Sequence, residues 1–338
     1  MPPCTPSLIV AERWDGHGAS ETPGEILAAS HRRGCGPLCW RLPRRTLAFD
    51  GSPGSPWIMV PSDVRGAFER VRAAGIALAD SAIGRPHLGV KCGFNLAFVV
   101  TSVEGGTDDV ASIVASNGRR GSVERGLLRP AVRGEGVHPW RTPEVGGHLI
   151  WTHGPSGAPL ERLPTHATRW LTPWRQQLAA RADARGARWW TLFRVEAARC
   201  DRPRVLWADL GRAPRATMVP AGDPIIPLNS CYVTLCREEQ DALALVAILN
   251  SPLADAWLAA LAEPARGGYH RFLGWTMSLL PLPRDWLRAR DILAPLAVEV
   301  MGRDQELQRI GPELLDACLA AYRVRHHDVE PLLTWFTG

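Results

Sequence analysis

Apolar residues recur along this chain with two different periods, and they predict strands in its middle part and helices towards its end. Short apolar runs with the length of buried strands lie at residues 96–100, 148–151, 205–208 and 231–235. We therefore predict a strand at each of these four places.

Helical spacing of apolar residues predicts a helix within 61–80, interrupted at Gly75. A second helix is predicted to begin at the Thr172-Pro173 pair, which suits a helix N-terminus, and to continue to Gly186. Further helices are predicted at residues 238–249, from Ser251 onwards, at 286–300 and at 305–322.

These elements predict an α+β fold, in which a mixed or antiparallel sheet region packs with helices and is followed by a helical C-terminal part. Residues 1–56 are rich in Pro, Gly and Arg and show no sustained periodicity, so we expect a loose leading segment there. The main domain is then expected at 57–283 and the helical C-terminal segment at 284–338.

The chain has 338 residues and a formal net charge of +5, and its 39 basic residues are 38 arginines and one lysine, Lys91. A Walker phosphate loop needs a Gly-Lys-Ser/Thr run, which is not found around Lys91. A PD-(D/E)xK nuclease needs an acid two residues before its lysine, and Gly89 holds that position. The single lysine therefore argues against both activities.

Eight cysteines are scattered without a CxxC pair, so we expect reduced, mostly buried thiols and no metal site. No run approaches the ~18 apolar residues of a membrane helix, and no signal-peptide pattern opens the sequence. These observations predict a cytoplasmic protein without a membrane partner.

Positive charge is concentrated in residues 162–215, where 12 arginines face 4 acidic residues, a local charge of +8. Tryptophans are interleaved with these arginines, an arrangement typical of a polyanion-binding surface. A solvated helix face beside core tryptophans would give the same composition, and both interpretations stay open.

Catalytic patterns are missing from the sequence: there is no His-rich metal motif, GxSxG elbow or informative pair of carboxylates. The pattern therefore favours a binding protein over a complete enzyme.

One segment, GVKCGFNLAFV at 89–99, resembles the G-x-x-T-G-x-N-x-A-F motif of the C-terminal target-recognition region of adenine-N6 DNA methyltransferases, of the TaqI-like or type IIG kind. Cys92 stands where that family usually has Thr. Further resemblances follow in the family's order: LRPAVRG at 128–134 with VHPW at 137–140, LIW at 149–151, the stretch 170–181, WWTLFR at 189–194, LNSCYV at 228–233, AILNSPL at 247–253, GGYHRF at 267–272, LPLP at 280–283 and LLDACLAAY at 314–322.

The resemblance implies that residues 57–283 form a DNA target-recognition domain of a restriction-modification or phage-defence system. The family's catalytic (N/D/S)-P-P-(Y/F/W) segment is missing, because the one Pro-Pro pair, Pro2-Pro3, lies between Met1 and Cys4. No acidic-Gly-x-Gly strand end is present to receive S-adenosylmethionine. The resemblance thus implies a chain that is not catalytic alone, with S-adenosylmethionine held by a separate catalytic methyltransferase subunit and double-stranded DNA as the second partner.

Arginine binds phosphate or the O6/N7 edge of guanine with two hydrogen bonds. Lys91 and Asn95 lie in a glycine-flanked loop, where the backbone can approach a groove or a partner closely. On these grounds the candidate DNA-binding residues within the matched motifs are Lys91, Asn95, Arg129, Arg133, Arg194 and Arg271. For Asn95 a turn-stabilising side chain is an equally open interpretation.

Two further hypotheses remain open. The chain could be a non-catalytic interaction or scaffold protein, or the remnant of a truncated methyltransferase, whose basic stretch holds a partner subunit and not DNA. It could also be an intact enzyme that uses residues outside the known motifs.

Overall fold

A computed structural model of the chain describes residues 7–11, 25–31, 38–43, 46–301 and 310–337. The chain divides into two compact units, each with its own core. The first unit comprises Met1–Ala82, Leu210–Pro214 and Leu243–Gly338, and the second comprises Ile83–Asp209 and Arg215–Ala242. Helices and mixed sheets occur together, so the predicted α+β class is confirmed.

The strands of the described residues are β1 (Ser7–Ala11), β2 (Glu25–His31), β3 (Leu38–Pro43), β4 (Gly75–Ala77), β5 (His87–Leu88), β6 (Val99–Gly106), β7 (Val110–Ala115), β8 (Arg120–Glu124), β9 (Leu128–Val132), β10 (Gly147–Ile150), β11 (Arg204–Ala208), β12 (Leu210–Gly211), β13 (Ala216–Val219), β14 (Ile226–Pro227), β15 (Cys231–Leu235), β16 (Glu263–Ala265), β17 (Tyr269–Arg271) and β18 (Pro281–Pro283).

The α-helices of the same residues are α1 (Ser62–Ala73), α2 (Asn95–Phe98), α3 (Thr165–Leu171), α4 (Arg175–Ala179), α5 (Glu239–Leu249), α6 (Pro252–Ala259), α7 (Gly274–Ser278), α8 (Trp286–Met301), α9 (Gly311–Tyr322) and α10 (His326–Thr337). Single 3-10 turns lie at Leu78–Asp80, Arg125–Leu127, Gly134–Gly136, Thr172–Trp174, Ala182–Ala184, Val195–Ala198 and Arg266–Gly268.

The first unit is built around an aromatic cluster. Phe68 of α1 stacks on Trp257 of α6, with ring centroids 4.6 Å apart and an interplanar angle of 8°. Phe49 meets both rings edge-on, and the Trp257 indole N–H donates to the Phe68 carbonyl over 3.3 Å. Because both stacked side chains are fully buried, this pair joins two helices that are distant in sequence.

Three small sheets belong to the first unit, with strand orders β1-β2-β3, β12-β17-β16 and β18-β4. The first of them is an antiparallel meander that lies inside the segment 1–56, for which no regular structure was expected. The short strands there pair their backbone N–H and C=O groups with one another. Backbone pairing does not depend on a regular pattern of apolar side chains, so little periodicity is seen in the sequence.

The second unit contains a six-stranded sheet of order β14-β9-β10-β6-β7-β8 and a four-stranded antiparallel sheet of order β13-β11-β15-β5. In the larger sheet β14 runs parallel to β9 and the remaining pairs are antiparallel. Helix α3 packs on β8, and its Trp170 and Leu171 enter the core of this sheet. This unit contains five of the six candidate DNA-binding residues.

Most of the predicted elements are found near their predicted positions. Strands β11 and β15 cover the apolar runs at 205–208 and 231–235, and β10 covers the run at 148–151 except for its last residue, Trp151. Helices α5, α6 and α8 match their predictions closely. Helix α1 occupies the first part of the stretch 61–80, whose last residues form β4 and a 3-10 turn and not helix. Helix α9 covers residues 311–322 of the helix predicted at 305–322, whose first residues lie outside the described ranges.

Two predictions were wrong. Residues 96–100 form the single turn α2 and only the start of β6, where one strand was expected. Residues 172–186 do not form one helix, because Thr172–Trp174 and Ala182–Ala184 are 3-10 turns on either side of the short helix α4. Pro173 lacks the backbone N–H that a continuous α-helix through α3 would need.

Among the described helices, none is by itself both long and apolar enough to cross a membrane. Helices α5 and α6 reach the required length and composition only as a pair, and the chain bends by 63° between them.

Candidate nucleic-acid interface

Three of the motif segments come together in the second unit, although they are far apart in sequence. Segment 89–99 lies beside segment 228–233, which in turn pairs with segment 128–134. The hydrogen bonds that join them are Gly89 N–H to the Cys231 carbonyl (2.9 Å), Val90 N–H to the Pro227 carbonyl (2.8 Å), Leu228 N–H to the Val132 carbonyl (2.9 Å) and Gly134 N–H to the Ser230 hydroxyl oxygen (2.9 Å). These three motif segments thus form one continuous part of the second unit.

The glycines of segment 89–99 allow close packing inside this unit. A Cβ on Gly89 would lie 2.1 Å from the Leu228 carbonyl oxygen, which no side chain could tolerate. Gly93 has a φ of +69°, and a Cβ there would lie 2.8 Å from the Arg181 side chain. These glycines therefore allow a close approach to the chain's own residues, and the approach to a groove or a partner stays a prediction.

Lys91 is held on both its backbone and its side chain. Its backbone N–H and carbonyl exchange hydrogen bonds with Phe193 over 2.9 and 3.0 Å. Its ammonium lies 2.6 Å from the Asp183 carboxylate, and both side chains are nearly half exposed. The hydrogen bond from Lys91 is the main reason why the pKa of Asp183 is lowered. The single lysine is thus partly neutralised by an acidic residue that the sequence patterns did not single out.

Arg181 fixes the loop that carries Asp183. Its guanidinium donates to the Leu178 and Trp189 carbonyls over 2.8 Å each, and to the Cys92 carbonyl. Burial lowers the pKa of Arg181. Because all three acceptors are backbone carbonyls, Arg181 holds the loop on segment 89–99. Arg181 is partly buried, so it is not one of the exposed cations of the basic segment.

Asn95 lies at the first residue of α2, where two clefts of this unit share it as a wall residue. One cleft, of about 440 Å³, is lined by Lys91, Phe94, Asn95 and Asn229, among others. A second cleft of about 410 Å³ is lined by Asn95, Ser116, Arg133, Glu135, Glu144 and Val145, among others. Asn95 is exposed and makes no side-chain hydrogen bond to any described residue, so a turn-stabilising bond from its amide is not seen.

The four candidate arginines have different surroundings. Arg129 of β9 donates to the Gly126 and Leu128 carbonyls over 2.8 and 3.0 Å, so part of its guanidinium is already used. Arg133 lines the second cleft. Arg194 is exposed and has a left-handed backbone, with φ 58° and ψ 38°. Arg271 is exposed in β17 and belongs to the first unit.

The basic segment 162–215 divides into arginines that hold the fold and arginines that face solvent. Arg204 is fully buried in β11 and donates to the Ile225 and Asp223 carbonyls. Arg188 donates to the Leu160 carbonyl, and Arg199 pairs with Asp201. The exposed arginines of this segment that make no hydrogen bond, ion pair or aromatic contact with a described residue are Arg162, Arg169, Arg185 and Arg194. Only part of the +8 charge is therefore available to a polyanion.

The tryptophans of this segment mostly fill the core. Trp170 is buried and donates its indole N–H to the Ala97 carbonyl over 2.8 Å. Trp174 lies edge-on to Trp170, and the guanidinium of Arg119 rests over both rings, at 4.1 and 4.5 Å from their centroids. Trp207 is fully buried. For these tryptophans packing is the observed role.

The described cysteines do not form a metal site. Cys92, Cys231, Cys236 and Cys318 are buried free thiols and Cys200 is exposed, while Cys4 and Cys35 lie outside the described residues. Within the described ranges, no three His, Cys, Asp or Glu residues come close enough to hold a metal ion together.

No protein-family model matches the chain, and no curated protein matches it by sequence. Solved structures do resemble it, and two of them serve as examples of that likeness. One is the type IIL restriction-modification enzyme MmeI in complex with DNA, with a TM-score of 0.51 and 11% identity over 94% of this chain and 41% of that one. The other is the type IIG restriction endonuclease BpuSI, with a TM-score of 0.39 and 12% identity over 90% of this chain and 37% of that one.

The chain spans about two fifths of the length of these two enzymes. The likeness to MmeI extends over nearly all of this chain, and it shows a fold related to that of restriction-modification enzymes.

Proposed function

We propose that this chain is the DNA target-recognition part of an adenine-specific DNA methyltransferase in a restriction-modification or phage-defence system. In this proposal it positions duplex DNA for a separate catalytic subunit, which holds S-adenosylmethionine. The observation that carries the proposal is the fold shared with MmeI, an enzyme whose structure was solved with DNA, over 94% of this chain.

Two further observations support a DNA-reading role. Three of the segments that resemble the methyltransferase family, at 89–99, 128–134 and 228–233, meet at one place in the second unit. The part of the basic segment that lies in this unit also exposes four arginines, Arg162, Arg169, Arg185 and Arg194, that make no hydrogen bond, ion pair or aromatic contact with a described residue. Such arginines suit phosphate contacts, which supply most of the affinity of proteins for duplex DNA.

The test is a fluorescence anisotropy titration of the chain with a labelled 30-base-pair duplex of mixed sequence, over a series of salt concentrations. If the four exposed arginines each neutralise one phosphate, log K should fall with log salt with a slope of about −3.6. The double variant Arg162→Gln/Arg185→Gln should reduce this slope by about 1.8 units.

A matched control removes two exposed arginines outside the basic segment, in the variant Arg237→Gln/Arg288→Gln, and should leave the slope unchanged. A chain that shows no salt-sensitive duplex binding would refute the proposal. Recovery of a methyltransferase subunit by such a chain would instead support the scaffold hypothesis.

A further inference from the structure

We infer that the cleft lined by Asn95, Arg133, Glu135 and Glu144 reads a G·C base pair in the major groove of DNA. Arg133 donates to guanine, and one of the two carboxylates accepts from the paired cytosine. The inference rests on the proposed function and adds to it the class of base pair and the residues that read it.

The charge of the cleft argues against a phosphate site. Its charged wall residues are Arg133, Glu135 and Glu144, which sum to −1. A phosphate placed here would be repelled by two carboxylates, whereas the edge of a base pair carries no formal charge. An arginine that shares a cleft with two carboxylates therefore suits a base better than the DNA backbone.

The donors and acceptors of the cleft match one base pair in particular. Guanine presents O6 and N7 as acceptors in the major groove, and the fork of an arginine fits both. The cytosine of the same pair presents its N4 amino group, which a carboxylate accepts. An A·T pair presents its donor, adenine N6, between the acceptors N7 and O4, so it has no adjacent pair of acceptors for the arginine fork.

Hydrogen bonds fix the backbone around Arg133, so its side chain extends from a rigid main chain. Arg133 follows β9 and precedes the 3-10 turn Gly134–Gly136, whose first N–H is bonded to the Ser230 hydroxyl. The Gly136 N–H donates to the Arg133 carbonyl, and the Glu144 N–H donates to the Gly136 carbonyl, each over 2.9 Å. These bonds connect the backbones of Arg133 and Glu144 to the same turn.

The reading groups are free to bind. In the described part of the chain, neither the Arg133 guanidinium nor the Glu135 carboxylate takes part in a hydrogen bond or ion pair. The Glu144 carboxylate lies 3.3 Å from His138 Nε2 and is about three quarters exposed. Its neighbour Val145 is an exposed apolar residue on the same wall. Glu135 is thus the less committed acceptor of the two.

The experiment selects duplexes from a pool with a randomised central block, using the full chain, and sequences the bound fraction. The wild-type chain should enrich a motif that contains a G·C pair. Arg133→Gln should lower the preference for that pair by at least about 5-fold while changing binding to the unselected pool by less than about 2-fold. The matched control Arg185→Gln, an exposed arginine outside the cleft, should weaken binding to both pools by the same factor.

A second pair of measurements separates base reading from misfolding. Replacing the selected guanine by 7-deazaguanine removes N7, and this should weaken the wild-type chain but not Arg133→Gln. Arg133→Lys keeps the charge but loses the fork, so it should lose the guanine preference with an unchanged salt dependence. The thermal unfolding of each variant is measured alongside.

The outcomes distinguish the two levels of the argument. A chain that binds DNA but enriches no sequence, or an Arg133→Gln variant that keeps its guanine preference, overturns base reading and leaves the proposed DNA binding standing. A wild-type chain that binds no duplex overturns both.

Discussion

The Lys91–Asp183 ion pair gives the sharpest test of how the second unit meets a polyanion. Asp183 lies 2.6 Å from the single lysine of the chain. Its loop is anchored independently by the three carbonyl bonds of Arg181. Asp183→Asn should therefore remove a charge without moving the loop, and it should free the ammonium of Lys91 to contact a phosphate.

The size of the effect follows from counterion release. One additional phosphate contact makes the slope of log K against log salt more negative by about 0.9. Between about 50 and about 200 mM salt, the variant should thus lose about 3.5-fold more affinity than the wild-type chain. At the low end of this range it should bind duplex DNA more tightly. Because ion pairs between exposed side chains contribute little to folding, its thermal unfolding should hardly change.

The assay is the anisotropy titration at several salt concentrations, applied to Lys91→Ala, Asp183→Asn and the double variant. Lys91→Ala leaves the Asp183 carboxylate without its partner, so it should weaken DNA binding with the fold intact. The double variant restores the wild-type local charge and should bind nearly as the wild-type chain does. Glu104→Gln, which removes the acid of another exposed ion pair of this unit, serves as the matched control.

Identical slopes for Asp183→Asn and the wild-type chain, together with unchanged affinity of Lys91→Ala, would refute the reasoning. The ion pair would then be remote from DNA, and the place of Lys91 inside the motif segment would have no bearing on binding.

Three further predictions concern folding and thiol chemistry. Gly89→Ala should destabilise the chain by about 1–3 kcal/mol in urea unfolding, because its Cβ would lie 2.1 Å from a carbonyl oxygen, whereas Gly126→Ala, with no atom within 4 Å, should be nearly neutral; equal losses would contradict this. Burial raises the pKa of Asp255 to about 7, so the folded state binds this proton more tightly than the unfolded state, and stability should fall as the pH rises from about 4 to about 7. Asp255→Asn should flatten that dependence in thermal melts, and an unaltered pH profile would argue against it. Among the described cysteines, iodoacetamide at about pH 8 should label Cys200 and spare the buried thiols, whose pKa values burial raises to about 12, as peptide mass spectrometry would show. The protected residues are Cys92, Cys231, Cys236 and Cys318.

The sequence predicts those elements whose structure depends on their own apolar pattern. Helix α1 buries Val64, Phe68 and Val71 on one face, which is the spacing from which it was predicted. Strand β11 is a continuous buried run, and its apolar residues predict it directly. In both, local preference and tertiary packing agree.

Prediction fails where a distant residue decides the local structure. Residues 96–100 read as a strand, yet the first of them belong to a helical turn whose Ala97 carbonyl accepts the indole N–H of Trp170, 73 residues away. The apolar pattern of residues 96–100 gives no information about that distant partner. The same holds for the 3-10 turns that flank α4.

The candidate site is predicted in the same partial way. The motif order in the sequence indicates segments that do meet in the structure. Arg129, however, bonds to the carbonyls of Gly126 and Leu128, and Lys91 faces Asp183, 92 residues away. An arginine that holds backbone and one that awaits a ligand look alike in sequence, and only their neighbours distinguish them.

The split arrangement of the first unit has a consequence for synthesis on the ribosome. All residues of the second unit lie between 83 and 242, so it can fold while translation continues. Phe68, in contrast, waits for Trp257, which follows 189 residues later. At about 5–20 residues per second, that delay is roughly 10–40 s. For this time the apolar face of α1 lacks its partner helix on the nascent chain, so the first unit completes its core only after the second unit has been synthesised.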